Sequence, residues 1–368
     1  MLGPRIPLLT RRALLAAGTA SLVAPAFAQT PNFAQSVSLA ALAAASGIVF
    51  GTAAASYELR DADFPPLLAR QSAMLVPEYE MKRAMVEPRP GAYDFSGIDT
   101  LMAFGRAHNM AFRGHPLVWY AANPPWLEDA VLERRDEKLL TGYVEALAGR
   151  YRGRMHSLDV VNEALAEDGS GLRQSFWLKA FGPAYIDMAF HAAHAADPGA
   201  LLVYNDYGCE AGGRTGDRVR ANCLALLDGL IARGAPVQAL GLQSHLFAFG
   251  EPVDQKKLRN FLAEIAARGL AILVTELDVS DEGGPSDIAS RDQAVADAAS
   301  RYLEVVLDNR KTGAVLTWGL TDRYADPPES QRLKMAGWRD RKFPFDAGLR
   351  PKPLAGALAR AFSARRPV

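Results

Sequence analysis

Two glutamates in this chain follow apolar runs of the kind that forms buried strands. Glu163 ends the run 158–163 (LDVVNE), and Glu276 ends the run 271–276 (AILVTE). Both runs are almost continuously hydrophobic and rich in β-branched residues, which is typical of parallel strands covered on both faces. Since packing explains such carboxylates poorly, we interpret them as site residues at the carboxyl end of a sheet. Such a pair could hydrolyse a glycosidic bond, with one acid protonating the leaving oxygen and one carboxylate attacking or activating water.

Further polar and aromatic residues lie near the ends of the other strand-like runs. Sugar hydroxyls need carboxylate and amide partners, and the apolar face of a pyranose packs on an aromatic plane. Each residue alone could be structural, as a core tryptophan, a satisfied histidine or an ion-pair partner, but their occurrence on successive strands favours a shared site. In chain order the candidates are Glu78, Lys82, His115, Trp119, Asn162, Asn205, Tyr207, Gln243, His245, Asp278 and Trp318.

The elements that must position these residues recur at a regular spacing. Helical patterns lie between the strands, as where Leu258, Phe261, Leu262 and Ile265 repeat at i, i+3, i+4 and i+7. Strand-like runs occur at 48–53, 73–76, 111–117, 157–161, 201–204, 240–243, 271–274 and 314–318. Eight strands about 38 residues apart predict a single α/β domain, a (β/α)₈ TIM barrel over residues 45–363. The long irregular stretch 322–349 after the last strand is expected to be functional.

The N-terminus predicts export. Paired arginines, Arg11 and Arg12, precede an apolar stretch that ends in a small-residue cleavage pattern at Ala28, which indicates a twin-arginine signal peptide at 1–28. Residues 29–44 are expected to be a lead-in segment. Cleavage removes three of the 41 basic residues and none of the 41 acidic residues, which leaves a mildly acidic chain. We expect a periplasmic or secreted monomer without a nucleic-acid partner, and without a membrane span once the signal is removed.

The sequence gives little support for a metal or a disulfide framework. His115, His245, Glu276 and Asp278 could gather around an ion, but the chain has no His-x-His pair, no His-Glu-x-x-His motif and no cysteine cluster. We therefore predict no metal site, and no cofactor is implied. The two cysteines, Cys209 and Cys223, could form one disulfide. The predicted position of Cys223 inside a helix argues against it.

Six motifs in the chain resemble those of glycoside hydrolase family 10, the endo-β-1,4-xylanases on a (β/α)₈ barrel. They are Arg113–Trp119 (RGHPLVW), Asp159–Ala164 (DVVNEA), Tyr204–Tyr207 (YNDY), Gly241–Leu246 (GLQSHL), Thr275–Asp278 (TELD) and Thr317–Gly319 (TWG). All appear in the family's order. The resemblance covers almost the whole chain after the predicted signal, from the segment 50–53 (FGTA) to the segment 350–353 (RPKP).

The resemblance implies roles for the candidate residues. Glu163 would be the general acid/base and Glu276 the nucleophile of a retaining double displacement on xylan, with the carboxyl groups about 5–5.5 Å apart. Asn162 would bond the 2-hydroxyl of the sugar, and His245, backed by Asp278, would hold Glu276 ionised. The substrate-binding set would comprise Glu78, Lys82, His115 and Trp119 on the glycone side, Trp318 as an apolar wall, Gln243 and Asn205 near the scissile bond, and Tyr207 on the leaving side.

The chain departs from the family pattern at four places. Tyr79 replaces an asparagine, Tyr120 a histidine and Ala122 a glutamine, and 325–326 (Ala-Asp) replaces a serine–tryptophan pair that normally covers the reacting sugar. Each change falls on glycone recognition, where loss of one buried polar partner costs about 1–3 kcal/mol. Trp338, in the same loop, is one candidate to replace the lost indole.

Two alternatives to a xylanase remain open on the sequence. A related barrel could cut another β-linked glycan or short oligosaccharides, as the changes at Tyr79, Ala122 and Asp326 suggest. A non-catalytic glycan-binding barrel belongs to a different class of function. The presence of both glutamates favours an enzyme over a binding protein.

Overall fold

The computed structural model describes residues 38–325 and 337–365. The predicted signal peptide at 1–28, most of the lead-in and Asp326 lie outside these residues. Helix α1 (Leu39–Ala45) begins after Ser38, whose side chain accepts a hydrogen bond from the Ala41 amide at 3.2 Å. This helix packs against the C-terminal helix, so the last part of the predicted lead-in belongs to the folded domain. Among the described helices, none is long and apolar enough to cross a membrane.

Within residues 38–325 and 337–365, nine parallel strands form the sheet, and eight of them close into a barrel. The strands are β1 (Val49–Ala54), β2 (Met74–Pro77), β3 (Ala111–Gly114), β4 (Ser157–Asn162), β5 (Leu201–Asp206), β6 (Ala239–Leu242), β7 (His245–Phe247), β8 (Ala271–Ser280) and β9 (Thr312–Thr317). Closure comes from the pairing of β1 with β9 and of β6 with β8. The predicted barrel is confirmed. The short β7 was not predicted; it pairs with the second half of β8 above the barrel wall.

Helices surround the barrel. After α1 they are α2 (Phe64–Gln71), α3 (Arg83–Val86), α4 (Ser96–Ala107), α5 (Pro125–Arg134), α6 (Lys138–Arg150), α7 (Phe176–Phe181), α8 (Ala184–Ala196), α9 (Gly213–Ala232), α10 (Gln255–Ala267), α11 (Ile288–Asp308) and α12 (Pro353–Ala364). Helix α10 shows why they form, because the four apolar residues of its predicted face are all buried. It ends before Gly269, whose φ of +79° favours glycine.

The core has two layers. Inside the barrel lie side chains from alternating strand positions, and a larger layer between strands and helices surrounds it. The inner layer consists of Ala53, Met74, Val76, Val203, Ala239, Leu273, Ala314 and Leu316. Cys209 and Cys223 are both buried and carry free thiols, so the disulfide that the sequence left open is not formed.

Candidate active site

Glu163 follows the last residue of β4 in an unusual backbone conformation. Its φ is +57°, in the left-handed region, which costs a residue with a side chain about 1–3 kcal/mol. The Glu163 amide donates to the Asn205 carbonyl at 2.9 Å, which ties this turn to β5. The pairing of β4 with β5 is irregular between Asp159 and Val161, so the strand is already distorted before the turn. The surrounding sheet thus imposes a strained backbone at a carboxylate, as is common at functional sites.

Three N–H donors converge on the Glu163 carboxyl group. Trp119 Nε1 donates to Oε2 at 2.9 Å, while Gln243 Nε2 and Asn162 Nδ2 donate to Oε1 at 2.9 and 3.0 Å. The side chain of Glu163 is about nine-tenths buried, with 9% of the residue exposed. These contacts leave the carboxyl group little freedom to rotate.

Glu276 lies within β8, at an irregular position in its pairing with β9, and is buried. Asn205 Nδ2 donates to Glu276 Oε1 at 2.8 Å, and His245 Nε2 lies 3.4 Å from Oε2. His115 Nδ1 is 3.7 Å from Oε1. Burial raises the pKa of Glu276, but His115, the His245 contact and the Asn205 hydrogen bond together outweigh burial and lower it. The site therefore favours the ionised form of this carboxylate.

Two side-chain amides link the glutamates. Asn205 Nδ2 donates to Asn162 Oδ1 at 2.8 Å as well as to Glu276, and Asn162 Nδ2 donates to Glu163. Thr275 Oγ1 donates to Asn205 Oδ1 at 2.7 Å and so orients the amide. Gly241 on β6 leaves room for Asn205, because a Cβ at that position would overlap the amide oxygen. The network brings the two glutamates of the sequence prediction to one cleft.

His245 lies between two carboxylates. Its Nδ1 is 2.9 Å from Asp278 Oδ1, and Lys342 Nζ is 3.1 Å from Asp278 Oδ2. Burial raises the pKa of Asp278, but His245 and Lys342 lower it to about 2. Burial lowers the pKa of His245, whereas Asp278 and Glu276 raise it well above its usual range. The raised pKa favours the imidazolium form of His245, and Asp278, which contacts its Nδ1, orients the ring toward Glu276.

This ion pairing predicts a pH-dependent stability. The raised pKa of His245 contributes to the free energy of unfolding. This contribution is fully present below pH 6.5, the ordinary pKa of histidine, and is lost as pH rises through the pKa of the folded state. The lowered pKa of Asp278 stabilises the fold above its ordinary value of 3.8 and is lost as pH falls toward 2. We expect His245→Asn to lower the free energy of unfolding by about 1 kcal/mol, since His245 is partly exposed. The loss should be greatest between about pH 4 and 6.5.

Chemical denaturation of wild type and variant from pH 3 to 9 measures this difference. The same substitution at His191, an exposed position on α8, is the matched control. A His245→Asn deficit that stays constant over the whole pH range would contradict the ion-pair assignment.

His115 belongs to a buried group that could geometrically accept a cation. One ligand atom each from His115, Asp159 and Glu276 lies within 4.8 Å of the others. Asp159 already pairs with Arg113 through Oδ1 and with His115 Nδ1 through Oδ2, the latter at 2.9 Å. Because the Arg113 guanidinium offsets the charge of Asp159, we interpret the group as an ion-pair network that orients His115.

The residues predicted for the glycone side surround Trp119 and Trp318. Lys82 Nζ lies 5.7 Å from the Trp119 ring centre and 4.7 Å from that of Tyr79, the residue that replaces the family's asparagine. The His115 ring meets that of Trp318 edge-on, with centres 5.1 Å apart. The tyrosine thus contributes a cation–π contact to Lys82 at the position of the lost amide.

Glu78 and Trp318 share a small recess with Glu58, which the sequence analysis did not single out. Burial, reinforced by Glu78 and Glu80, raises the pKa of Glu58 to about 8. The raised pKa favours the protonated form of Glu58 beside Glu78.

Trp338 does not line the recess formed with Trp318 in the described part of the chain. Its ring stacks on Arg291, with the guanidinium carbon 3.6 Å from the ring centre. Its Nε1 lies 3.3 Å from carboxylate oxygens of Asp281 and Asp340. These contacts tie it to α11 and the end of β8, and they do not support it as a replacement for the missing indole. Asp326, at the position of that indole, lies outside the described residues.

On the other side of Glu163 lies a cavity of about 790 Å³. Tyr207, Gln243, His245 and Phe247 are among its lining residues. Arg173 Nη2 donates to the Tyr207 hydroxyl at 2.8 Å. This open space adjoins Glu163.

Several site residues had no role in the sequence analysis. Arg113 and Asp159 lay in the motifs, but only the fold shows that they pair. Lys342 lies in the irregular stretch 322–349, whose length predicted a function without indicating which residue carries it. Arg173 had no signal in the sequence, because only the folding of the loop after β4 brings it to Glu163 and Tyr207.

The chain is similar to known proteins of one family. A profile of glycosyl hydrolase family 10 matches residues 38–361. The chain is 33% identical to endo-1,4-beta-xylanase C of Paenibacillus barcinonensis over 76% of this chain and 27% of that protein. It is 31% identical to endo-1,4-beta-xylanase B of Thermotoga neapolitana over 88% of this chain and 91% of that protein. It therefore spans about a quarter of the first relative and nine-tenths of the second.

Among solved structures, xylanase 10B from Thermotoga petrophila RKU-1 in complex with xylobiose superposes with a TM-score of 0.76 at 29% identity. The match covers 89% of this chain and 97% of that chain. The resemblance noted from the motifs is confirmed over nearly all of the described residues. The chain belongs to glycosyl hydrolase family 10.

Proposed function

We propose that this chain is a retaining endo-β-1,4-xylanase. The observation that carries the proposal is the linked pair of carboxyl groups: Glu276 ionised beside His245, and Glu163 held by three donors on the same amide network. Both relatives named above are endo-xylanases, and the solved neighbour binds xylobiose. These names support xylan as the substrate.

The reaction takes two displacements. First, a Glu276 oxygen attacks the anomeric carbon while Glu163 donates its proton to the leaving glycosidic oxygen, which breaks that bond and forms a glycosyl ester. Then water attacks the same carbon, Glu163 takes one of its protons, and the bond to Glu276 breaks. Once Glu276 is esterified, the charge that faced Glu163 is neutralised, which suits the change of Glu163 from acid to base.

The second candidate is a retaining β-glycanase acting on another β-linked glycan or on short oligosaccharides. Tyr79 favours it, because its ring covers Lys82 where the family has an asparagine. A hydroxyl that loses such a partner binds more weakly by about 1–3 kcal/mol. The two candidates differ in substrate and share the same chemistry.

A product analysis decides between them. Purified enzyme is incubated with xylan, mixed-linkage glucan and xylo-oligosaccharides, the products are separated, and their initial anomeric configuration is read by proton NMR. We expect xylan to be cleaved fastest, and at internal bonds, so that oligosaccharides of several lengths appear early. The product released first should be the β-anomer. A preference for glucan would favour the second candidate, and an initial α-anomer would overturn the retaining mechanism.

The cavity beside Tyr207 predicts where leaving-side sugars bind. Phe247 lines this cavity and is 59% exposed, so its ring is available for a pyranose to stack on. We expect Phe247→Ala to lower kcat/KM on xylohexaose about tenfold, which corresponds to one lost stacking contact. An aryl xylobioside, which places no sugar there, should be hydrolysed at the wild-type rate.

Phe249 supplies the matched control. It is similarly exposed at 41%, but its ring packs over Gly284. Phe249→Ala should leave both substrates unaffected. Equal losses on xylohexaose from the two variants would remove Phe247 from the substrate-binding set.

We also propose that the enzyme is exported and acts as a monomer. The arginine pair and cleavage pattern in residues 1–28 support export. N-terminal sequencing of protein from the periplasm or medium, and light scattering of the mature chain, measure these two properties. An intact N-terminus in the cytoplasm or a stable dimer would contradict them.

A further inference from the structure

A short hairpin after β4 returns the chain to Glu163. Arg173 N donates to the Ala164 carbonyl at 2.8 Å, and Leu165 bridges Leu172 in antiparallel fashion. The hairpin turns through Gly171, whose φ of +120° is accessible mainly to glycine. This hairpin, 164–173, places the side chain of Arg173 against Glu163, the residue that precedes it.

The Arg173 guanidinium contacts three groups around Glu163. Its Nε donates to the Glu163 carbonyl at 3.0 Å, and its Nη2 donates to the Tyr207 hydroxyl at 2.8 Å. Its guanidinium carbon lies over the Tyr120 ring, 4.3 Å from the ring centre. Tyr120 stands where the family has a histidine, so this stack is a feature of the present chain.

The contact with the Glu163 carbonyl concerns a strained residue. Glu163 has a left-handed backbone, and its side-chain direction depends on that conformation. A charge-assisted hydrogen bond to its carbonyl, anchored at its other end on Tyr207, resists relaxation of the turn. Proton transfer to a leaving oxygen requires the acid within about 2.6–3.2 Å of it, so a small rotation of this turn would matter.

We propose that Arg173 is a positioning residue for leaving-group protonation. It holds the backbone of Glu163 so that its carboxyl group faces the glycosidic oxygen, and it fixes Tyr207 beside the departing sugar. The proposal rests on the proposed function of Glu163 as the general acid. Arg173 acts through Glu163 and Tyr207 and takes no part in the bond changes.

The test is the dependence of kcat/KM on leaving-group acidity. Aryl β-xylobiosides from dinitrophenyl to phenyl share one glycone and place no sugar on the leaving side, and kcat/KM reports the first displacement. We expect Arg173→Met to lower kcat/KM about 30-fold for the phenyl glycoside and less than threefold for the dinitrophenyl glycoside, which needs no proton. The loss of kcat/KM on the phenyl glycoside should be smaller for Arg173→Lys than for Arg173→Met, but still measurable. A lysine keeps the charge, but it cannot donate to both partners as the forked guanidinium does.

Arg218→Met is the matched control. Arg218 holds the tip of the same hairpin through two hydrogen bonds to the Asp168 carbonyl, at 3.1 and 2.7 Å. This variant should keep the wild-type dependence on leaving group, and circular dichroism melts verify that all variants fold.

Equal losses by Arg173→Met across the whole leaving-group series, or no loss on the phenyl glycoside, would overturn the positioning role. Failure of the proposed function is a separate result: the wild-type enzyme would then cleave none of the glycosides, or would give the inverted anomer.

Discussion

Replacement of Glu276 by alanine is expected to abolish turnover, with kcat on xylan reduced on the order of 10⁵-fold. The reason is that, in the proposed mechanism, a Glu276 oxygen supplies the attacking pair of electrons, and the surrounding Asn205, His245 and His115 cannot replace it. Hydrolysis of xylan and of dinitrophenyl β-xylobioside should fall together, because both need the first displacement.

Azide tests the role directly. The smaller side chain of Glu276→Ala leaves space on the face opposite the leaving group. Azide entering there attacks the anomeric carbon as dinitrophenolate departs, and should yield the α-xylobiosyl azide. NMR of the product reads its configuration. A β-azide, or no rescue together with substantial residual hydrolysis, would place the nucleophile elsewhere.

The same variant separates an enzyme from a glycan-binding protein. A binding protein would have no turnover to lose and would keep its affinity for xylohexaose, as measured by calorimetry. Glu167, an exposed glutamate that lines the cavity, provides the matched control. Glu167→Ala should retain at least about a third of the wild-type kcat, because general charge near the cleft is worth little in water.

Much of the fold could be predicted because buried parallel strands have a recognisable composition. The β-branched runs gave all eight barrel strands and put Glu163 directly after β4. Glu276 was predicted at a strand end but lies inside β8, which continues to Ser280. The continuation exists because β7 pairs with it, His245 opposite Asp278. That pairing joins segments that are distant in the sequence. Neither segment has a periodic pattern of residues from which the pairing could be predicted.

The partners of the candidate residues were harder to predict than the residues themselves. Lys342 and Arg173 are single cations in irregular segments, where no spacing distinguishes them from surface charges. Their contacts with Asp278 and Glu163 follow from loop conformations that depend on the closed barrel. Trp338 illustrates the reverse case: its residue type suited a sugar platform, but Arg291 binds its ring.

Replacement of Glu163 by alanine should separate substrates by their need for a proton. We expect kcat/KM on xylan to fall about 10³- to 10⁴-fold, because general acid catalysis contributes on this order. Dinitrophenyl β-xylobioside should keep kcat/KM within about tenfold of wild type, since dinitrophenolate departs without protonation. Trp119, Asn162 and Gln243 would lose their shared acceptor, so folding must be checked by thermal melts.

The second displacement gives Glu163→Ala a signature opposite to that of Glu276→Ala. Without a base to activate water the glycosyl ester accumulates, so kcat on the dinitrophenyl glycoside falls even though kcat/KM is kept. Azide needs no base; it attacks the ester from the face that the leaving group vacated and gives the β-azide. An equal loss of kcat/KM on xylan and on the activated glycoside would contradict the assignment of Glu163. Because one variant should yield the α-azide and the other the β-azide, the two products together fix which carboxylate lies on which face of the sugar.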